Sequence, residues 1–387
     1  MLPVREYNRI VSINMGLYIH IPFCKQACHY CNFHFTTSVR YQTQMVDAIV
    51  EEIRLQKDYL GDSPLASIYF GGGTPSILSE KYLERIMNTV HQLFSIEKNA
   101  EITLEANPDD LSYEKLVSLK SMSINRLSIG IQSFRSEDLI LMNRAHTPEE
   151  AVMSLTNAFE VGFKDVSLDL IYGLPTSTEQ EWEENMIKAF DFPINHLSAY
   201  ALTIEPKTAL AHFIKKGTHP PIDESVASVQ FEQLMAFAQA KGWDHYEISN
   251  FCLPGKEARH NTAYWQSKAY LGIGPSAHSY SKNTRQWNIA NNQTYMKAIE
   301  KGVIPAEIEH LDTDTQYNEC VMTGLRTKWG CSFEQITEFG PKYLVFFRKE
   351  AIPLILDGLL FEEKNRVVLT QKGKHFADKV ASDLMMV

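Results

Sequence analysis

Residues 17–31 read LYIHIPFCKQACHYC. The opening Leu17–Ile21 is apolar and rich in β-branched residues, the pattern of a buried strand. Cys24, Cys28 and Cys31 follow at once with the spacing CxxxCxxC. Three thiolates on one loop cannot complete a tetrahedral zinc site without a fourth ligand. They can hold three irons of a [4Fe–4S] cubane and leave the fourth iron open to a chelating amino and carboxylate group. Ferredoxin runs differ, because each cluster there receives four protein thiolates. Zinc with His20, His29 or His34 as fourth ligand stays an alternative at this point, as does a chance grouping.

The strand pattern recurs outward from this stretch, at Ser67–Phe70, Glu101–Glu105, Arg126–Ile131, Asp165–Ile171 and His196–Leu202. Amphipathic helical segments separate these runs. Ser79 reads as an N-cap before Leu83, Ile86, Met87, Val90, Leu93 and Phe94 at helical spacing. Thr147-Pro148-Glu149-Glu150 is a capping box with proline at the first helical position, and Gly162 sits past the helix end. The alternation implies an α/β fold with a parallel sheet covered by helices. Six units are too few for a closed eight-stranded barrel. A partial (β/α)6 TIM-like barrel is expected over residues 17–205, after a leader at 1–16. Residues 206–306 are less regular, with a helix near Glu224–Lys241 and a short strand near Tyr246–Ile248, and are expected to extend the barrel. Residues 307–387 look like a smaller C-terminal α+β domain, winged-helix-like, with two short strands around Lys364-Asn365.

The 387 residues are 44% hydrophobic, enough for a large core in two or three domains, and carry a net charge of −10. That acidic balance argues against a general electrostatic grip on nucleic acid. Over residues 358–380 Lys and Arg only slightly outnumber Asp and Glu, so the winged-helix-like domain is not read as binding DNA. No apolar run reaches the length of a membrane span, and no signal-peptide centre precedes Met15. A cytoplasmic protein is expected, with peripheral membrane contact left open. The scattered Cys252, Cys320 and Cys331 read as ordinary thiols.

Further polar residues fall at the C-terminal ends of the strands, where a barrel builds its binding face. Gly71-Gly72-Gly73-Thr74-Pro75 follows the second strand, Glu105 ends the third, Gln132 ends the fourth, Arg144 follows it, and Asp169 lies on the fifth. Glycines there let backbone groups approach a ligand closely. A carboxylate or amide at the end of an apolar strand is costly to desolvate unless it meets something polar. Each alone is explained equally well by a structural hydrogen bond. Together, beside the cysteines, they point to a ligand cavity.

CxxxCxYC behind YIHIPFC resembles the radical S-adenosylmethionine superfamily. Within it, the resemblance is to the group formed by oxygen-independent coproporphyrinogen dehydrogenase and the HemW-type haem chaperones, and it runs from Leu17 into the C-terminal domain. It implies a [4Fe–4S] cluster on Cys24, Cys28 and Cys31. It implies that Tyr18, the backbone around Tyr30, Gly72 and Glu105 contact S-adenosylmethionine on the open iron. Gly73, Thr74, Gln132, Arg144 and Asp169 match positions that hold a second S-adenosylmethionine in the dehydrogenase. The chemistry implied is one-electron cleavage of the sulfonium to a 5′-deoxyadenosyl radical.

Two features depart from the dehydrogenase. It has a further cysteine two residues after the third, where this chain has Phe33, and a longer extension before the first strand than residues 1–16. Both point away from porphyrinogen decarboxylation. His260-Asn261-x-x-Tyr264-Trp265 instead matches the HNxxYW motif of the HemW-type proteins, which implies haem contact with His260 as the axial-ligand candidate. A neutral histidine nitrogen can ligate haem iron, and Tyr and Trp can pack on the macrocycle. A loop histidine anchored by two aromatics is what the residues alone would suggest. Tyr270–His278 resembles a segment closing the cavity, with His278 and Cys252 as lesser ligand candidates. The expected function is haem chaperoning for respiratory haemoproteins, with coproporphyrinogen III dehydrogenase as the alternative. A winged-helix regulator with a cluster sensor is disfavoured by the charge. A homodimer is compatible with the sequence.

Overall fold

The computed structural model describes residues 15–386. Most of the expected leader lies outside them, and its last two positions, Met15 and Gly16, already belong to the first strand. Strands β1 (Met15–Ile21), β2 (Leu65–Gly72), β3 (Ile96–Ala106), β4 (Arg126–Gln132), β5 (Asp165–Tyr172) and β6 (His196–Ala201) lie side by side in chain order, all parallel. Parallel neighbours require crossover connections. Helices Gln42–Leu55, Glu80–Leu93, Tyr113–Ser121, Pro148–Val161 and Glu179–Phe190 provide them. Ser79 and Thr147 are the N-caps expected, Thr147 with the full capping box, and Gly162 closes its helix at φ 90°.

Period-two alternation decides what each strand shows to each side. Leu17, Ile19 and Ile21 of β1, Ile68 and Phe70 of β2, Ile102 and Leu104 of β3, and Leu127, Ile129 and Ile131 of β4 are buried in one apolar core with the helices. Burying each such side chain contributes about 1.5–3 kcal/mol. The intervening residues, among them Tyr69, Thr103, Glu105, Ser128, Ser167, Asp169 and Ser198, line the inside of the barrel. The binding interior is thus the polar half of the same alternation that builds the core. β3 starts at Ile96, ahead of the expected Glu101, because Lys98 and Asn99 keep the strand extended while their side chains stay in solvent, leaving no apolar pattern to read.

The sheet continues past both edges of the barrel to twelve strands. β7 (Asp244–Glu247) and β8 (Asn250–Cys252) add antiparallel beyond β6. At the other edge β9 (Tyr270–Ile273) joins β1 in parallel, followed by antiparallel β10 (His278–Ser281), β11 (Thr284–Asn288) and β12 (Ala306–His310). The stretch after residue 205 therefore extends the barrel on both sides, and β12 runs across position 306. Glu52 on the first helix stitches this extension down. Its buried carboxylate accepts from Gly274 N–H (2.7 Å), Tyr295 Oη (2.6 Å), Asn288 Nδ2 (2.6 Å) and Gln56 Nε2 (2.8 Å). Four donors offset the cost of burying it.

The C-terminal part has its own core around Tyr317, Val321 and Phe347. Helix Thr313–Leu325, β13 (Cys331–Ser332), helices Phe333–Glu338 and Pro341–Leu356, β14 (Leu360–Glu363) and β15 (Arg366–Leu369) follow in winged-helix order. The three strands are antiparallel in the order β13-β15-β14, and Lys364 takes φ 56° in the turn between the last two.

Candidate functional site

Cys24, Cys28 and Cys31 are free, half-buried thiols on the loop after β1. That loop is tied down by backbone bonds from Cys24 N–H to Thr36 O (3.0 Å) and from Thr36 N–H to Pro22 O (2.9 Å). Thr74 Oγ1 donates to Cys24 Sγ at 3.4 Å, and Arg144 Nη1 to Cys28 Sγ at 3.3 Å. Burial pushes the Cys24 thiol up to about 11 and raises Cys31 as well. Bare thiolates are disfavoured in such surroundings, and bound iron offsets that cost. The histidines named for zinc are held elsewhere: His20 Nε2 by His34 O (2.9 Å), His29 Nδ1 by Leu141 O (2.8 Å) and His34 Nε2 by Asn292 Oδ1 (2.7 Å). Among the described residues no three His, Cys, Asp or Glu side chains gather as ligands of a single metal ion. The donor set suits a cluster that spreads its thiolates, not a mononuclear site.

The thiols open into a cavity of about 590 Å³ that also receives Tyr30, Gly72, Gly73, Thr74, Glu105, Gln132, Arg144 and Asp169. Gly72 sits at φ 111°, and a Cβ there would lie 2.6 Å from the His20 ring; at Gly73 it would lie 2.6 Å from Phe23 O. The glycines thus let the β2 loop pass directly against the cysteine loop. Gln132 takes φ 64° at a register shift in β4, a left-handed backbone that is unusual for a residue other than glycine. Arg144 braces the floor through Nη2 to Asn107 Oδ1 (2.7 Å) and Gly130 O (2.8 Å), and through Nη1 to Tyr30 Oη (3.3 Å). Its Nε–H is buried without a partner among the described residues, a donor left for a ligand.

Glu105 accepts from Tyr69 Oη at 2.7 Å and Gly72 N–H at 3.2 Å. Burial pushes its carboxyl up to about 7, and Asp169 nearby raises it further. Burial likewise pushes Asp169 up to about 6, against hydrogen bonds from Ser198 and Ser128. Two desolvated carboxyls facing one cavity favour a ligand that brings positive charge, as a sulfonium and an ammonium do.

A second cavity, of about 720 Å³, shares Asn32, Phe33, Gly72, Glu105 and Tyr200 with the first. His260, Asn261, Tyr264, Trp265, His278 and Tyr18 line it, and no Lys or Arg among the described residues does. Tyr18 thus stands on this side of the shared wall, its Oη 3.1 Å from His20 Nδ1. His260 is the second residue of the short helix Arg259–Trp265, whose first two N–H groups donate to Glu101 at 2.9 and 3.0 Å. Its ring stacks on Tyr69, with centroids 5.0 Å apart and planes at 26°. Ser67 Oγ meets Nδ1 at 2.8 Å, while Nε2 makes no hydrogen bond among the described residues. Burial lowers the ring to about 4, so it is neutral at pH 7. Cys252 is buried in β8 and lines neither cavity, so of the two lesser candidates only His278 reaches the site. Ser67, Tyr69 and Tyr200 were not singled out from the sequence, although Ser67 and Tyr69 stand on the polar face of β2, two residues apart.

Residues 18–188 match the model of the radical SAM superfamily, and residues 311–376 match that of the HemN C-terminal domain. The chain is 36% identical over 371 residues to the haem chaperone HemW of Bacillus subtilis, covering 94% of this chain and 97% of that one. It is 33% identical to the haem chaperone HemW of Mycobacterium tuberculosis, covering 96% and 94%. The chain belongs to the HemW family of radical S-adenosylmethionine proteins. The superfamily's cofactors are a [4Fe–4S] cluster and S-adenosylmethionine, and the sulfur donors and buried carboxyls of the first cavity fit both. The fold is also that of coproporphyrinogen III oxidase (HemN) from Escherichia coli, with a TM-score of 0.84 at 23% identity over 97% of this chain and 91% of that one. Among the described residues no helix is long and apolar enough to cross a membrane.

Proposed function

We propose that this chain is a haem chaperone that holds haem in the aromatic cavity and passes it to respiratory haemoproteins from the cytoplasmic side. One observation carries the reading: His260, neutral, with Nδ1 held by Ser67 and Nε2 free, on the wall of a cavity adjoining the cysteine cavity. A histidine fixed through one nitrogen presents the other as a metal ligand in a defined orientation. Tyr264 and Trp265 offer flat apolar surface on which a haem macrocycle would pack.

In the adjoining cavity Cys24, Cys28 and Cys31 hold the cluster. Tyr18, the backbone around Tyr30, Gly72 and Glu105 would contact S-adenosylmethionine on the cluster, and Gly73, Thr74, Gln132, Arg144 and Asp169 would hold a second molecule where one binds. A bound, reduced cluster would supply one-electron chemistry to the sulfonium that these residues hold. Tyr30 and Arg144 close the cavity floor against water. Three working units follow: the barrel at 17–205, its extension at 206–306 and the C-terminal domain at 307–387.

The test is a haemin titration of the reconstituted protein. A stoichiometric Soret shift that His260→Ala abolishes supports the reading; no haemin binding with or without oxygen rejects it. The competing activity, coproporphyrinogen III dehydrogenation, is disfavoured by Phe33. Protoporphyrinogen formed from coproporphyrinogen with S-adenosylmethionine and an anaerobic reductant would establish it instead.

A further inference from the structure

Arg326 follows the first helix of the C-terminal domain, and its neighbours lie along the outer edge of β7. Ile248 N–H donates to Arg326 O at 3.0 Å, Lys328 N–H to Tyr246 O at 2.9 Å, and Thr327 bridges Glu247. The C-terminal domain therefore continues the barrel sheet by a short length of backbone at this seam.

The side chain of Arg326 reaches two residues of the aromatic cavity at once. Its Nε and Nη2 both stand 3.2 Å from Glu247 Oε1, and its guanidinium lies 5.4 Å from the Trp265 ring centroid. Glu247 is 1% exposed, and its Oε2 accepts from Ser249 N–H at 2.9 Å and Asn250 Nδ2 at 2.5 Å. Glu247, Ser249, Asn250 and Trp265 all line the aromatic cavity. On the other side, Glu247 and Arg326 line a separate cavity of about 270 Å³ at the domain seam. Glu247 thus stands between the two spaces, and Arg326 is the cation paired with it from the seam side.

The chemistry makes this wall consequential. The aromatic cavity contains the carboxyls of Glu105 and Glu247 but, among the described residues, no Lys or Arg, so a dianionic ligand meets no compensating charge from them. Arg326 neutralises Glu247 from behind. A guanidinium can pair with a carboxylate along its edge while stacking its face on an indole; an ammonium cannot do both.

We propose that Arg326 is a positioning residue through which the C-terminal domain shapes the haem wall, by neutralising Glu247 and holding the Trp265 ring. This rests on the haem reading above. Its contact with Asp378, at 3.0 Å to a side chain 87% exposed, serves as an internal control.

The experiment compares full-length reconstituted wild type with Arg326→Lys, Arg326→Met and Asp378→Asn by haemin titration, haem dissociation rate and urea unfolding. Arg326→Lys is expected to weaken haemin binding about tenfold and to speed dissociation similarly. Its urea midpoint and iron content stay at wild-type values, and Asp378→Asn binds as wild type. Placed on Trp265→Leu, the same substitution costs less than about threefold, because the stacking partner is already gone. Haemin bound by Arg326→Lys with wild-type affinity overturns the proposal; if that variant does not fold, wild-type affinity in Arg326→Met does so. A wild-type chain that binds no haemin overturns the haem reading, and this inference with it.

Discussion

Ser67 Oγ lies 2.8 Å from His260 Nδ1, joining two residues 193 positions apart in the chain. The contact occupies Nδ1 and leaves Nε2 as the ring nitrogen with no hydrogen bond among the described residues. Ser67→Ala should leave His260 present but free to turn, and haemin affinity should fall about tenfold, as for other partners of metal-ligating histidines. Soret titration measures this. An affinity equal to wild type would show that Ser67 does not orient the ligand.

Glu105 gives a pH signature. In the folded chain its carboxyl keeps a proton up to about 7, whereas an ordinary glutamate loses it near 4.5. Between those values the folded state binds more protons than the unfolded one. The stability this contributes is complete below 4.5 and is lost as pH rises through 7. Glu105→Gln removes that slope. Urea unfolding of the apoprotein should show the variant more stable than wild type at pH 8, by on the order of 1 kcal/mol, and about equal at pH 4.5. S-adenosylmethionine binding should weaken at pH 8, where the carboxylate is charged, and change less at pH 4.5, where it is protonated.

Gly73 should tolerate no side chain. A Cβ would stand 2.6 Å from Phe23 O and 2.9 Å from Ile21 O, both backbone atoms that cannot swing away. Gly73→Ala is expected to destabilise by about 1–3 kcal/mol and to displace the β2 loop from the cysteine loop. Urea unfolding reads the first effect, and lower iron incorporation on reconstitution reads the second.

Arg144→Met tests the brace beneath the cluster. It would leave Asn107 Oδ1 and Gly130 O without their present donor, costing about 1–3 kcal/mol. It also removes the donor to Cys28 Sγ. Iron and sulfide content should drop below wild type under identical reconstitution. Full loading and unchanged unfolding would reject the role.

Much of the fold was legible because local patterns encode it. The strand at Leu17–Ile21 shows in neighbouring residues, as does the capping box at Thr147, and both concern contacts within a few positions. The β3 segment from Ile96 was not legible, since its solvent-facing side chains carry no apolar alternation. The short strand expected at Tyr246–Ile248 spans Asp244–Glu247 and stops before Ile248, because Ile248 and Ser249 form the turn into β8.

The strand–helix rhythm by itself determined the partial barrel, and cysteine spacing by itself narrowed the loop after the first strand to a cluster or a zinc site. The resemblance carried by CxxxCxYC and HNxxYW determined the family. Only the tertiary structure decided that the cysteine cavity and the His260 cavity share a wall at Gly72, Glu105 and Phe33. It alone brought Ser67 to His260 and Arg326 to Trp265. The physical reason is range: spacing along one strand or helix fixes which residues share a face, whereas contacts between distant segments depend on how the whole sheet curls and how the last domain seats on its edge.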